Sequence, residues 1–379
     1  MDFNTLCIHG NNDKYDTTGA VSVPIFQSAT FAHPAVGEST GFDYSRQQNP
    51  TREHLEKIMS KLEGGLDAIA FSTGMAAIGT VMELFAPGDH FIASDDLYGG
   101  SHRLFHQISM KNGLSFDFVN TSDLPLIEPL IKPNTKAIFI ETPTNPMMQV
   151  TDIEAVAQIA QKHELLLIVD NTFLTPYFQQ PIKLGADIVI HSGTKYLGGH
   201  NDTLAGFAVV KDEKISERLR FIYKTTGACL APFDSWLLIR GIKTLPIRMD
   251  KQQENAMKLA NWLNEQKNVK TVHYAGLPTH PGYEISKRQG TGFGAMISFE
   301  VDSEVMVRKI LEGVSLIQYA ESLGGVETLI TYPMLQTHGD IPKEEREAKG
   351  INECLLRLSV GIESADDLID ELARVIKGE

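Results

Sequence analysis

The residues with the most chemistry in this chain stand at the ends of two apolar runs. Leu165-Leu166-Leu167-Ile168-Val169 leads into Asp170, and Asp187-Ile188-Val189-Ile190 leads into His191-Ser192-Gly193-Thr194-Lys195. In open α/β sheets, ligands collect beyond the carboxyl ends of the strands, so an acid and an amine placed there can meet around one ligand. A lysine amine forms a Schiff base with an aldehyde, and a carboxylate against a pyridine nitrogen keeps that ring protonated as an electron sink. Those are the two demands that pyridoxal phosphate makes on a protein. Its phosphate needs donors as well. Ser72-Thr73-Gly74-Met75-Ala76-Ala77 follows an apolar run and opens an apolar helical stretch, where backbone N–H groups and the positive end of a helix can face an anion. Ser192 and Thr194 add hydroxyls from the lysine loop. Taken alone, Asp170 reads as a turn or N-cap residue, Lys195 as a solvated lysine and Gly74 as an ordinary helix start. Their order, each just past a strand, joins them into one site.

Those residues need a sheet behind them. Short apolar runs at 68–71, 91–93, 116–119, 137–140, 165–169 and 188–190 alternate with helix-like stretches such as 152–163. Runs of that kind suit strands buried on both faces, so the expected fold is α/β with a mostly parallel sheet in a large domain. A further strand is expected at 204–210. Asn49 caps a helix with Pro50 at its first position, Leu55, Ile58, Met59 and Leu62 follow at helical spacing, and Gly64-Gly65 ends it. Residues 1–45 show little period, as in functional or intersubunit segments. One long helix is expected from about 235 to 263. The last third mixes strands at 296–301 and 356–360 with helices at 304–311 and 366–376, the pattern of a smaller α+β domain. The expected organisation is an N-terminal arm over 1–45, a large domain over 46–235 and a small C-terminal domain over 236–379.

Composition narrows the functional classes. The chain has 379 residues, 42% hydrophobic and 22% charged, which excludes wholesale disorder. Its 34 basic and 48 acidic residues give a net charge of −14, which repels phosphate backbones, so no nucleic-acid partner is expected. No apolar run approaches the ~20 residues of a membrane span, and Met1-Asp2-Phe3-Asn4-Thr5 does not open like a signal peptide. Three scattered cysteines, Cys7, Cys229 and Cys354, suit a reducing compartment, so a cytoplasmic location and no membrane partner are expected. His102 and His106 have zinc-motif spacing, but Arg103 stands where a metalloprotease needs glutamate, so no metal site is expected. Gly290-Thr291-Gly292-Phe293-Gly294-Ala295 matches a dinucleotide fingerprint in letters only, because a strand rather than a helix follows it.

Further motifs extend along the chain. They are Tyr44-Ser45-Arg46 with Asn49-Pro50-Thr51, Asp96-Leu97-Tyr98-Gly99-Gly100, Glu141-Thr142-Pro143-Thr144-Asn145-Pro146, Gly185-Ala186-Asp187, Ala320-Glu321-Ser322-Leu323-Gly324-Gly325 and Arg357-Leu358-Ser359-Val360-Gly361. Together with the phosphate, acid and lysine segments, they give the chain over nearly its whole length a pattern that resembles the Cys/Met-metabolism family of fold-type I pyridoxal-phosphate enzymes. The resemblance implies that Lys195 is the Schiff-base lysine, that Asp170 pairs with the pyridine nitrogen, and that Tyr98 stacks on the ring and assists proton transfer or leaving-group activation. It implies that Gly74, Met75, Ser192 and Thr194 hold the phosphate, joined by Tyr44 and Arg46 of a neighbouring subunit in a homotetramer of two catalytic dimers. Arg357 would clamp the substrate carboxylate in the bidentate manner a guanidinium favours, with Asn145 and the Ser322 backbone nearby. Arg103, apart from the resemblance, reads either as a contact to the substrate end or as part of a solvated helix face. Gly193 departs from the alanine usual in the family and is expected to loosen the loop slightly.

Within that family two positions bear on the reaction. Methionine γ-lyases carry cysteine where this chain has Gly100 and an apolar residue where it has Glu321. Cystathionine β-lyases carry an aromatic residue or asparagine at the latter place and tryptophan where Leu323 stands. A carboxylate at Glu321 suits the distal ammonium of cystathionine, or the amine of cysteine as a second substrate, so the resemblance favours a cystathionine γ enzyme. The overall likeness of the motifs leans to γ-elimination of L-cystathionine to cysteine, 2-oxobutanoate and ammonia, with hydrogen sulfide release as a side activity. Cystathionine γ-synthesis, or O-acylhomoserine thiolysis, is the γ-replacement alternative. A non-catalytic pyridoxal-phosphate-binding protein is the alternative of another class, and it would not need Tyr98, Glu321 and Arg357 together. His338 either shapes the pocket mouth or is an ordinary loop residue.

Overall fold

The apolar runs become strands because each is short and, apart from 116–119, buried along most of its length. A computed structural model of the protein describes residues 1–10, 18–339 and 341–377, so part of the expected arm, 11–17, lies outside it. The larger sheet holds β1 (Asp67–Phe71), β2 (His90–Ser94), β3 (Ser115–Val119), β4 (Thr135–Glu141), β5 (Leu166–Asp170), β6 (Ile188–Ser192) and β7 (Gly206–Val210). Their spatial order is β1-β7-β6-β5-β4-β2-β3. All run parallel except β7, which is antiparallel to both neighbours, β1 and β6. Ile168 and Ile190 pack into the apolar layer on one face, and Val169 and Val189 into the layer on the other. The carboxyl ends of β4, β5 and β6 therefore present Glu141, Asp170 and Ser192 along one edge.

The second sheet comprises β8 (Val269–His273), β9 (Met296–Val301), β10 (Gln318–Tyr319), β11 (Leu329–Thr331) and β12 (Leu355–Ser359). Its order is β10-β11-β12-β9-β8, antiparallel apart from the short β10–β11 pair. Arg357 lies on its central strand, opposite Thr331 on one side and Ser298 on the other.

Helix ends follow their caps. The Asn49 side chain accepts the Thr51 N–H at 3.0 Å, the helix runs over Pro50–Glu63, and Gly64 closes it at φ 80°, a backbone conformation that favours glycine. Asp152 caps the helix Ile153–Lys162 from outside and accepts the Ala155 N–H at 3.2 Å. The long helix expected over 235–263 is instead two, Pro232–Ile242 and Leu245–Asn264. Pro246 lacks an N–H and so belongs in the first turn of a helix, while the apolar period simply continues across the break. The arm also contains an unforeseen short helix, Phe3–His9, capped by Asp2. Among the described residues, no helix is long and apolar enough to cross a membrane.

Candidate active site

A cavity of about 380 Å³ opens at the carboxyl ends of β4, β5 and β6 and reaches β12 of the second sheet. Its walls include Gly74, Met75, Tyr98, Asn145, Asp170, Ser192, Thr194, Lys195, Glu321, Ser322 and Arg357. Of the predicted site residues, Tyr44, Arg46 and Arg103 are the ones it does not collect. The Arg46 guanidinium lies over the Tyr44 ring at 5.4 Å and donates to the Lys224 carbonyl. Arg103 is exposed on the helix Gly99–Leu104.

Lys195 rides on the connection from β6 to β7, whose base is closed by Thr194. The Ala205 N–H donates to Thr194 Oγ1 at 3.0 Å, and that hydroxyl donates back to the Ala205 carbonyl at 3.2 Å. A Cβ at Gly193 would stand 2.8 Å from Phe207 Cε2 and 2.9 Å from Ala205 Cβ. The glycine there answers close packing. Lys195 Nζ donates to Ser322 Oγ at 2.8 Å. Burial, then the nearby Arg357 charge, brings its pKa down to about 8, with Glu321 opposing them.

Asp170 accepts both the backbone N–H and the hydroxyl of Thr172 on Oδ1, at 3.0 and 2.6 Å. Both described bonds fall on that oxygen, which leaves Oδ2 for a ring N–H in the cavity. Thr172 Oγ1 in turn accepts the Ser192 N–H at 2.9 Å, so one hydroxyl joins the acid to the phosphate end. At that end Thr73 caps the helix Gly74–Met82 by accepting the Ala76 N–H at 2.9 Å. A Cβ at Gly74 would lie 3.1 Å from Ser192 Cβ. The helix start and the end of β6 thus form a narrow cradle of backbone and small side chains, as a phosphate requires. A lysine amine, a carboxylate with a free oxygen and this cradle fit pyridoxal phosphate: Lys195 would bond its carbonyl carbon, Asp170 its ring nitrogen, and Gly74, Met75, Ser192 and Thr194 its phosphate.

Arg357 is fully buried. It donates to Asn145 Oδ1 at 2.8 Å, the Ser322 carbonyl at 3.0 Å and Thr331 Oγ1 at 3.1 Å, while its Nε has no partner. Among the described residues no carboxylate stands in ion-pair range of it, and burial pulls its pKa down to about 10. A buried cation with an unused N–H suits an incoming carboxylate.

Two wall residues escaped the sequence reading in part. Glu141 sits beside Asp170 in the β4–β5 register and accepts the Tyr98 N–H at 2.9 Å. Burial first, then the charge of Asp170, raises its pKa well above the usual carboxylate range. The rule that found Asp170 at a strand end applies equally to Glu141. Thr337 also lines the cavity, next to His338; no motif logic pointed to it.

Known proteins can now be set beside this geometry. A family model described as Cys/Met metabolism PLP-dependent enzyme matches residues 4–377. Cystathionine gamma-lyase of Bacillus subtilis (strain 168) is 50% identical over 98% of both chains. Cystathionine beta-lyase of Lactococcus lactis subsp. cremoris (strain MG1363) is 48% identical over 98% of both. Cystathionine gamma-synthase of Haemophilus influenzae (strain ATCC 51907 / DSM 11121 / KW20 / Rd) is 50% identical over 97% of this chain and 96% of its own. The crystal structure of cystathionine gamma-lyase from Lactobacillus plantarum, complexed with L-serine, superposes with a TM-score of 0.97 at 45% identity and covers 100% of both chains. Three different activities thus occur at nearly equal identity.

Proposed function

Because this chain belongs to the Cys/Met metabolism PLP-dependent enzyme family and shares its fold-type I architecture, we propose that it is a cystathionine γ-lyase. It would convert L-cystathionine and water to L-cysteine, 2-oxobutanoate and ammonia, and release some hydrogen sulfide from cysteine. The observation that carries the reading is that Glu321 lines the same cavity as Lys195, Asp170 and Arg357. A carboxylate there pairs with the distal ammonium of cystathionine, which the thioether of methionine lacks.

Pyridoxal phosphate held at Lys195 and Asp170 supplies the electron sink that makes the α-proton of an amino acid acidic. Arg357, with its unpaired Nε–H and its Asn145 partner, binds the α-carboxylate. The Lys195 amine, its pKa brought down to about 8, takes the α-proton at Nζ and then moves a β-proton, which lets the γ-sulfur leave as cysteine. Tyr98, its amide anchored on Glu141, stacks on the ring and passes a proton from its hydroxyl to the departing sulfur. Tyr44 and Arg46 lie outside their own chain's cavity, which supports a role at a neighbouring subunit's phosphate within a dimer of catalytic dimers. The two sheets support a large domain over 46–235 and a small one over 236–379, and the three free cysteines suit the cytoplasm.

Cystathionine γ-synthesis is the second reading, favoured by a relative of that name at 50% identity. Both reactions use the same two proton transfers. Product identification separates them: one assay holds L-cystathionine alone, the other O-acetyl- or O-succinyl-homoserine with cysteine. Cysteine and 2-oxobutanoate from the first, with little cystathionine from the second, is the expected result. Cystathionine from the second with an inert first assay makes the protein a synthase. Pyruvate and homocysteine from the first mean β-cleavage and overturn the role of Glu321. No turnover in either, with cofactor bound, leaves a non-catalytic binding protein.

A further inference from the structure

Tyr98 and Asn145 stand on separate connections, yet ring stacking and carboxylate binding require them in fixed register. One buried imidazole lies between those connections. His338, 1% exposed, places Nε2 at 3.1 Å from the Asn145 carbonyl and 3.3 Å from the Leu97 carbonyl. Both partners are acceptors, so Nε2 carries the proton. In the neutral ring Nδ1 is then an acceptor, and the Thr337 hydroxyl, 2.8 Å away, donates to it. Burial, with the Arg357 charge, takes the pKa of His338 down to about 4, so this tautomer persists through neutral pH.

The segment that carries His338 is itself clamped. The Thr337 carbonyl occupies the space a side chain at 99 would need, since a Cβ on Gly99 would lie 2.0 Å from it. Arg346 donates to the Met334 carbonyl at 2.7 Å and to the His338 carbonyl at 3.3 Å. Glu345 Oε1 stands 3.0 Å from His102 Nε2, on the helix that begins beside Tyr98. The strap is therefore pinned from both ends, with His338 at its centre.

We propose that His338 is a positioning residue whose single Nε2–H ties the carbonyl preceding Tyr98 to the carbonyl of Asn145, and so sets the stacking tyrosine and the Asn145–Arg357 carboxylate pair in mutual register. It touches neither cofactor nor substrate and acts through both neighbours. The inference rests on the roles given above to Tyr98 and Arg357, and not on which carbon–sulfur bond breaks.

The test compares purified His338→Gln, which keeps a donor, with His338→Leu, which keeps bulk and loses it. Two dissociation constants are measured without turnover: pyridoxal phosphate from the apoprotein, and glycine from the holoenzyme by its effect on cofactor absorbance. Both are expected to rise about tenfold or more in His338→Leu, in line with the cost of misplacing a binding group by roughly 1 Å. His338→Gln should recover most of the glycine affinity. A purely structural role would lower the melting temperature of both variants and leave both constants within about twofold of wild type where they are folded. That result overturns the proposal. Should His338→Leu fail to fold, Thr337→Val decides. It removes the donor to Nδ1, and weakened glycine binding in it is the expected result; unchanged constants in it overturn the role. Because no product is measured, a wrong γ-lyase assignment would leave these readouts intact.

Discussion

A lysine whose pKa has come down to about 8 is largely neutral in mildly alkaline solution, where a solvated lysine is still charged. Only the neutral amine attacks an aldehyde. The rate at which the apoprotein captures pyridoxal phosphate should therefore climb about tenfold per pH unit at lower pH and level off above about 8; stopped-flow absorbance measures it, and a flat profile would refute the role of Lys195. Arg357 is one of the two causes that hold the lysine down, so Arg357→Met should move that break to higher pH. Arg357→Lys keeps the charge and loses the planar fork, with an expected penalty of about 2 kcal/mol, roughly 30-fold in kcat/KM. Asp170 and Lys195 were legible in the sequence because strand ends obey a positional rule. Glu141 obeys the same rule, but its partner is a backbone N–H far along the chain, which no periodicity encodes. Ser322 was placed near the substrate, yet its φ of 84°, uncommon for a side-chain-bearing residue, was not foreseeable from residue type. That conformation is what turns its hydroxyl to Lys195 and its carbonyl to Arg357.

At the scale of elements, the cofactor cradle depends on how closely β7 approaches the turn after β1. A Cβ on Gly206 would fall 2.1 Å from the Thr73 carbonyl oxygen and 2.6 Å from the Gly74 nitrogen. Gly206→Ala should thus push the helix start away from Ser192 and weaken pyridoxal phosphate binding by about tenfold or more, read by equilibrium titration, while the fold survives. The second sheet has a comparable joint in Glu371 of the helix Ala365–Lys377, whose carboxylate accepts the N–H groups of Ser315, Leu316 and Ile317 at 2.7 Å. Burial pushes its pKa up, but those donors outweigh it, and the net shift is down from 4.5. A depressed carboxylate stabilises the fold above its unfolded pKa and loses that effect as pH falls through the folded one. Glu371→Gln should cost about 2 kcal/mol near neutrality, with the deficit shrinking as the solution is acidified below 4.5, as chemical denaturation across pH will show. The strands of the larger sheet were easy to foresee because a two-sided sheet demands continuous apolar runs, whereas Val269–His273, Gln318–Tyr319 and Leu329–Thr331 of the second sheet are too polar or too short to make such runs and were not foreseen. The break between Ile242 and Leu245 was not, because apolar spacing persists through it and only Pro246 marks it.

On the scale of the whole molecule, the arm is the part whose purpose the single chain does not use. If Tyr44 and Arg46 serve a neighbour, two crippled proteins should repair each other. Arg46→Ala and Lys195→Ala, each nearly inactive alone, should regain about a quarter of wild-type activity when unfolded together and reassembled in equal amounts, because half of random pairs are mixed and each mixed pair has one intact site. No recovery would assign the arm to its own subunit. The lack of period read in sequence agrees with the absence of helix or strand between His9 and Pro50 among the described residues, whereas the short helix Phe3–His9 was too brief to register. The spread of cavity residues along the chain also has a meaning in time. Gly74, Asp170 and Lys195 have all been synthesised before Ser322 and Arg357 emerge, and at 5–20 residues per second the interval is on the order of ten seconds. A growing chain therefore completes the pieces proposed for the cofactor while its carboxylate clamp does not yet exist. During translation, the residues proposed for the cofactor come first and the carboxylate clamp last.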